Sequence, residues 1–334
     1  MSYQSIQIEK YGPATAMAFH EVMPKLPADD EVAIDVAYSG INFADIQMRL
    51  GLYPDAPKKP FVPGYEVSGK VTAVGKNVRD VKKGDEVVAG TYFGGYASHV
   101  TLPARQVFKL PDGIDLEAGA ALPVNYFTAQ LALFEMARIR KGDRILIEPA
   151  TGGVGVLAIQ MARHVGAEVV GLTTSPHKKK FIEELGATAY TVEEFHADAT
   201  LRGYDLVINS SGGAAIEWQR QRLGMTGRII CLGMSSMTKN GKRSYIKIAS
   251  ALLRTPRISV LKLFDANTGV YALNALHILQ DPTWIERLTS SMAAIPAMQL
   301  RPHVGKVFDA KEVAAAHAYL ETKQATGKVL LHWS

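Results

Sequence analysis

Residues 144–165 read RILIEPATGGVGVLAIQMARHV. Arg144 to Glu148 is a short apolar run stopped by a proline, which predicts a buried strand. From Gly155 to Val165 the apolar residues recur at helical spacing. Between them lies the turn Ala150-Thr151-Gly152-Gly153-Val154-Gly155. Strand, glycine-rich turn and helix in that order carry the fingerprint of a dinucleotide site. Gly152 lets the backbone approach a diphosphate, and Gly155 lets the helix pack closely on the strand. The helix start adds free N–H groups and the positive end of a dipole. Ala150 stands where the fingerprint has its first glycine. A plain strand–helix turn would need no ligand; the β/α run around this one favours the ligand.

Downstream, that run is regular. Ala167 to Leu172 reads as a strand and Pro176 to Leu185 as a helix. Tyr204 to Ile208, Arg228 to Leu232 and Arg257 to Leu263 read as further strands. Strands alternating with helices predict a doubly wound parallel sheet. Upstream the texture differs. Glu31 to Val36, Gly69 to Val74, Asp85 to Ala89 and Ala97 to Leu102 are strand-like, with glycine and proline between them. That predicts an antiparallel barrel or sandwich with short helices. The texture changes near Ala120. After the α/β region, a strand-like Val304 to Phe308, a helix near Lys311 to Glu321 and the run Gly327 to Leu331 return to the first pattern. The C-terminus is therefore expected to rejoin the first domain.

Bulk properties narrow the function. A chain of 334 residues is long for one core. The formal net charge of +5 suits an anionic cofactor but lacks the concentrated basic face of a nucleic-acid binder. Cys231 is the only cysteine, so no internal disulfide and no four-cysteine zinc site can form. The N-terminus lacks secretory features, and no apolar run is long enough to span a bilayer. A cytoplasmic location is expected.

Cofactor choice turns on the end of the second strand of the α/β run. NAD users hold the ribose there with a carboxylate. Here Thr173-Thr174-Ser175 is followed by Lys178. Hydroxyls and a lysine can bind a 2′-phosphate, which points to NADPH. The same residues also serve as a helix start, with Thr174 or Ser175 as cap and Pro176 in the first turn. Both readings hold together.

These blocks, with Asn42-Phe43-Ala44-Asp45, Arg49-Leu50-Gly51-Leu52-Tyr53, Pro63-Gly64-Tyr65-Glu66-Val67-Ser68-Gly69, Gly94-Gly95-Tyr96-Ala97, Ala120 to Tyr126 with Thr128, Arg301-Pro302-His303-Val304 and Gly327-Lys328-Val329-Leu330, resemble the medium-chain dehydrogenase/reductase superfamily. Within it they resemble the zinc-independent quinone-oxidoreductase branch. The chain is most similar there to relatives of the synaptic vesicle amine-transport protein, at Val124-Asn125-Tyr126 and around Leu263 to Tyr271. The resemblance implies a GroES-like domain of residues 1–123 and 295–334, and a Rossmann-like domain of residues 124–294 inserted into it. It implies an active site in the interdomain cleft. Tyr126 and Thr128 would lie near the nicotinamide, Gly152, Gly153, Val154 and Gly155 at the pyrophosphate, and Thr174, Ser175 and Lys178 at the 2′-phosphate. Asn209, Gly233, Phe264 and Lys328 would border the adenine or nicotinamide ends. One position departs: the family tyrosine that flanks the adenosine maps to Glu193. The zinc ligands of the alcohol dehydrogenases map to Asn42 and Tyr65, so metal catalysis is not expected. A homodimer joined edge-to-edge through the Rossmann sheet is implied as well.

Without a Lewis acid, the acceptor must take hydride readily, as quinones and α,β-unsaturated carbonyls do. Asn42, Asp45, Arg49 and Tyr53 follow one another at intervals of three, four and four, which would put them on one helix face. Asn42 reads equally as a helix cap or as a hydrogen-bonding group for substrate or nicotinamide. Asp45 and Arg49 read as a structural i,i+4 pair. Tyr53 reads as a proton donor or orienter because enoyl reductases of the superfamily share an Asn…Gly-x-Tyr pattern. Two alternatives stay open: an enoyl-thioester reductase, and a cofactor-binding adaptor with weak turnover. For the adaptor, the basic stretch Lys239 to Arg243 and the segment Tyr245 to Leu253 would touch a membrane or a partner; a solvated loop before a core helix is the plainer reading.

Overall fold

The computed structural model describes residues 3–233 and 255–334. They form two compact units, residues 3–124 with 279–334 and residues 125–233 with 255–278.

The first unit opens with a ribbon of β1 (Tyr3–Ile8) and β2 (Met17–Val22). Its main sheet is built on the long strand β3 (Glu31–Ile41). One side of β3 pairs antiparallel with β4 (Glu66–Val74), which continues through β5 (Glu86–Gly90) to β7 (Val107–Lys109). On the other side β6 (His99–Pro103) runs along Glu31 to Asp35. Alternation along β3 buries Val32, Ile34 and Val36 with Val67, Val71, Val87 and Ala89 in one core. Each such side chain contributes about 1.5–3 kcal/mol. Helix α1 (Phe43–Arg49) leaves the end of β3.

Helix α2 (Pro123–Gln130) leads into the second unit and passes into a π turn at Leu131–Met136. The strands that follow are β8 (Arg144–Glu148), β9 (Glu168–Thr173), β10 (Thr188–Thr191), β11 (Tyr204–Asn209), β12 (Leu223–Cys231) and β13 (Gly269–Ala272). They lie in the order β10-β9-β8-β11-β12-β13, all parallel. Counted from β8, that is the 3-2-1-4-5-6 order of a Rossmann sheet. The connecting helices include α3 (Gly153–Val165), α4 (Lys179–Glu184), α5 (Val192–Ala197) and α6 (Ala215–Arg220).

One predicted strand is overturned. Arg257 to Leu263 does not pair in the sheet; Val260–Ala266 is helix α7, stopped by Asn267 in the left-handed region. The sixth strand is β13, a few residues later. The alternation in Ile258-Ser259-Val260-Leu261-Lys262-Leu263 imitates a strand, but α7 buries none of its residues.

The chain is back in the first unit at residue 279. Helix α8 (Pro282–Ser291), which the sequence reading placed with the dinucleotide unit, packs near the turn Ala104–Gln106 of the first. Strand β14 (Val304–Asp309) pairs parallel with β15 (Lys328–His332), and helix α9 (Val313–Glu321) connects them. β15 then lies antiparallel along Tyr38 to Ile41 of β3. That register sets Lys328 near the start of α1.

Candidate functional site

Asn42 stands at the junction of β3 and α1. Its backbone N–H donates to Asp45 Oδ2 at 2.7 Å, while its carboxamide reaches across the sheet. Nδ2 donates to Glu66 Oε1 at 3.1 Å, and Oδ1 accepts from Lys328 Nζ at 2.6 Å. Lys328 also forms a close ion pair with Glu66, and both side chains are buried. The second Glu66 oxygen accepts the Val124 N–H at 2.8 Å. The resemblance put Lys328 at the cofactor; here its ammonium is engaged by Asn42 and Glu66.

The one-face reading of Asn42, Asp45, Arg49 and Tyr53 fails for Tyr53, because α1 ends at Arg49 and Gly51 turns the chain with φ 68°. Asp45 and Arg49 do not pair with each other. Arg49 donates to the Gly12 carbonyl at 2.7 Å and closes an ion pair with Glu321. Asp45 is fully buried and accepts from the Gly64 N–H and the Tyr96 hydroxyl, each at 3.2 Å. Tyr96 Oη in turn lies 3.0 Å from His317 Nε2. Burial pushes the Asp45 carboxyl up to about 7, against the pull of the Asn42 N–H and the Lys328 charge. Burial, with Arg49 nearby, holds His317 down at about 3.

Tyr53 is half-buried, edge-on to Tyr65 at 6.3 Å, and Tyr65 leans on Phe93 at 5.5 Å. Burial raises the pKa of both phenols, so each keeps its proton at neutral pH.

In the second unit, α3 begins at Gly153, its cap residue Gly152 offers no side chain, and the first intrahelical bond runs from the Val156 N–H to the Gly152 carbonyl. The N–H groups of Gly153, Val154 and Gly155 precede that bond and have no acceptor within the helix. A Cβ on Gly155 would stand 2.5 Å from the Pro149 carbonyl oxygen, whereas one on Gly152 would meet nothing closer than 3.8 Å. Gly155 thus brings helix to strand, and Gly152 leaves an open face. At Gly153 a Cβ would strike the Asn125 carboxamide at 2.4 Å, so Asn125, which the sequence places only within a block of resemblance and gives no site role, belongs to the turn. At the end of β9, Thr174 is exposed and Ser175 half-buried, its N–H donating to Thr173 Oγ1 at 3.2 Å. Lys178 is buried, which lowers its pKa. Glu193 is exposed in the first turn of α5, beside Glu194, which binds Lys179 at 2.8 Å.

Asn209, at the end of β11, is fully buried. It donates to Gln219 Oε1 and accepts the Gly212 N–H at 2.6 Å, while Gln219 and Ser211 both donate to Glu148. This network ties the ends of β8 and β11, where the strand order reverses. Glu148, Ser211 and Gln219 were not singled out in the sequence. Gly233 is exposed just past β12, Tyr126 is fully buried against Phe127, and Thr128 is half-buried. Phe264 is 82% exposed on α7. The structure thus joins Asn42 to Lys328 in the first unit. In the second it sets the glycine turn, Thr174, Ser175, Asn209 and Gly233 at the carboxyl ends of four strands. The basic stretch Lys239 to Arg243 and the segment Tyr245 to Leu253 lie outside the described residues.

Comparison with known proteins accords with this architecture. Residues 28–112 match the alcohol dehydrogenase GroES-like domain, and residues 185–331 match the zinc-binding dehydrogenase family. The synaptic vesicle membrane protein VAT-1 homolog of Rattus norvegicus is 31% identical over 92% of this chain and 78% of its own. The quinone oxidoreductase of Sus scrofa is 30% identical over 98% of this chain and 97% of its own. The chain belongs to the medium-chain dehydrogenase/reductase superfamily. Among solved structures, the quinone oxidoreductase of Escherichia coli complexed with NADPH is 25% identical, with a TM-score of 0.84 over 98% of this chain and 99% of that one.

As a member of the superfamily the protein is an oxidoreductase, with the fold of its NAD(P)-binding enzymes. The open glycine turn and the uncapped start of α3 fit the diphosphate of a nicotinamide dinucleotide. The matched family's description implies zinc; among the described residues no three His, Cys, Asp or Glu side chains are grouped to hold a metal ion. Cys231, the sole cysteine, lies in β12 of the second unit, and burial raises its thiol to about 11.

Proposed function

We infer that this protein is an NADPH-dependent, zinc-independent reductase that transfers hydride to quinones or to α,β-unsaturated carbonyls. The observation that carries the reading is the Asn42–Glu66–Lys328 cluster, in which Asn42 stands at one of the two positions to which the resemblance maps zinc ligands. When bound, the nicotinamide supplies the hydride. The chain's own residues handle charge and proton. Adding hydride to a quinone or enone leaves negative charge on the acceptor oxygen. The second N–H of the Asn42 carboxamide stabilises that oxygen, and the protonated Tyr53 hydroxyl supplies the proton. Tyr65 and Phe93 form an apolar wall beside Tyr53 that suits a flat conjugated acceptor. Thr174 and Ser175 receive the 2′-phosphate, and the Asn209 network shapes the loop at the cofactor's edge.

The test is NADPH oxidation by chelator-treated protein, with 1,4-benzoquinone and a trans-2-alkenal in parallel and NADH as control. Saturable turnover with NADPH alone is expected. Tight NADPH binding with neither acceptor reduced would defeat this function.

The protein works as a homodimer in this reading. Among the described residues β13 is the edge strand of the parallel sheet, and Val260, Leu261 and Phe264 just before it are exposed by 78–82%. Such a clustered apolar surface is a liability on a monomer. A cytoplasmic location completes the proposal; no helix among the described residues is long and apolar enough to cross a membrane.

A further inference from the structure

We propose that Glu66 and Lys328 are positioning residues that lock the Asn42 carboxamide in one orientation, as a donor, so that the site selects acceptors presenting a hydrogen-bond-accepting oxygen. This rests on the reading that Asn42 touches the acceptor. Oxygen and nitrogen of an amide are told apart by their partners. Lysine only donates, so the Asn42 atom 2.6 Å from Lys328 Nζ is the oxygen. A carboxylate only accepts, so the atom 3.1 Å from Glu66 Oε1 is the nitrogen. A flip would set oxygen against carboxylate and NH₂ against ammonium, two repulsive contacts inside the protein. Lys328 takes one acceptor position of the oxygen, and Glu66 takes one of the two Nδ2 hydrogens. The donor that half-buried Asn42 has left to offer is the other N–H.

The lock is itself held rigidly. Glu66 is fully buried and its second oxygen takes the Val124 N–H. A Cβ on Gly40 would lie 2.7 Å from Glu66 Oε1 and 2.8 Å from the Ala120 carbonyl oxygen, so only glycine on β3 admits the carboxylate there. Lys328 comes from a strand 286 residues from Asn42 in sequence. A buried ion pair is weak evidence for stability, because desolvation offsets the attraction. Here the pair has a geometric consequence: it removes the ambiguity of the amide and presents a fixed donor. An acceptor bearing a carbonyl-type oxygen completes the set, whereas a ligand offering only a donor in that place, such as an ammonium or a guanidinium, leaves an N–H facing an N–H.

The test is a double-mutant cycle. Lys328→Met and the charge-neutral pair Glu66→Gln/Lys328→Met are each made with Asn42 intact and with Asn42→Ala. The paired variant leaves no lone buried charge if the single one folds poorly. With 1,4-benzoquinone as acceptor, both should lower kcat/KM by about tenfold or more, on the scale of losing an oriented oxyanion donor. NADPH affinity should change by less than about twofold, and the loss should vanish once Asn42 is alanine. Equal losses in both backgrounds, or NADPH affinity falling in step with kcat/KM, would overturn the proposal and return Lys328 to the cofactor. An independent readout is the side-chain NH₂ pair of Asn42 in the amide NMR spectrum, assigned by its disappearance in Asn42→Asp. A wide separation of its two proton shifts is expected, collapsing in the paired variant. An unchanged pair would overturn the lock. If the wild-type protein reduces no acceptor, the proposed function fails while these resonances still decide the lock.

Discussion

Tyr96 Oη lies 3.2 Å from Asp45 Oδ2 and 3.0 Å from His317 Nε2, and all three side chains are fully buried. If Tyr96 donates to Asp45, His317 must donate through Nε2, which leaves Nδ1 as the bare atom; it has no hydrogen-bond partner. Burial shifts the two groups around that hydroxyl in opposite directions, Asp45 up and His317 down.

The Asp45 carboxyl is raised from 3.8 to about 7, so its contribution to stability is complete below about pH 4 and is lost as the pH rises through 7. His317 is lowered from 6.5 to about 3, so its contribution is complete above pH 6.5 and is lost as the pH falls through 3. Between about pH 4 and 6.5 the two slopes oppose each other, and the melting temperature of the wild-type protein should vary little on their account. His317→Gln should unmask a Tm that falls with rising pH across this window. Asp45→Asn should unmask one that rises. Melting curves at half-unit pH steps check both, and parallel slopes in the two variants would contradict the assignment.

The glycine turn separates a folding requirement from a binding one. Gly155→Ala forces a Cβ to within 2.5 Å of the Pro149 carbonyl oxygen, which the strand end cannot yield cheaply. It should cost about 1–3 kcal/mol of stability. Gly152→Ala meets nothing closer than 3.8 Å and should leave Tm within about 2 °C. NADPH affinity should fall in both, since a methyl at Gly152 stands on the face left open for the diphosphate. Thermal melts beside NADPH titrations distinguish the two.

Much of this fold is legible along the chain, because a parallel strand and its helix are local patterns. The glycine turn, the strand after it and the hydroxyls at that strand's end all fall within a few tens of residues. Where local pattern misled, competing local signals explain it. Residues 258–263 alternate like a strand, yet they lead into a helix capped by Asn267. Tyr53 keeps the helical interval from Arg49, yet Gly51 turns the chain first. The contacts of the site were not legible at all. Nothing in the sequence pairs Asn42 with Lys328, or Glu148 with Gln219, because each pair meets only through sheet register or tertiary packing. The Asp45–Arg49 spacing even suggested a partnership that each residue forgoes for a distant one.

Cofactor preference should reside in the half-buried Ser175 rather than in Lys178, which is buried with its pKa lowered. Ser175→Asp places a carboxylate where the 2′-phosphate is proposed to bind. Repulsion should weaken NADPH by about tenfold or more while NADH binding holds or improves. Titration of both cofactors against the variant decides it. An unchanged NADPH affinity would remove Ser175 from the phosphate site.

The exposed residues of α7 provide the last prediction. Leu261 and Phe264 are three positions apart on a helix that buries none of its side chains, next to β13, which no other strand pairs on its outer side among the described residues. A second copy covering this surface would bury both, and a charge there would be desolvated without a partner. Leu261→Glu should therefore shift a homodimer toward monomer by at least about tenfold in dissociation constant. Its effect on the melting temperature of the monomeric form should be small, because Leu261 is 79% exposed in the single chain. Mass from light scattering over a dilution series measures the shift. Identical masses for wild type and variant at every concentration would place any dimer contact elsewhere on the protein.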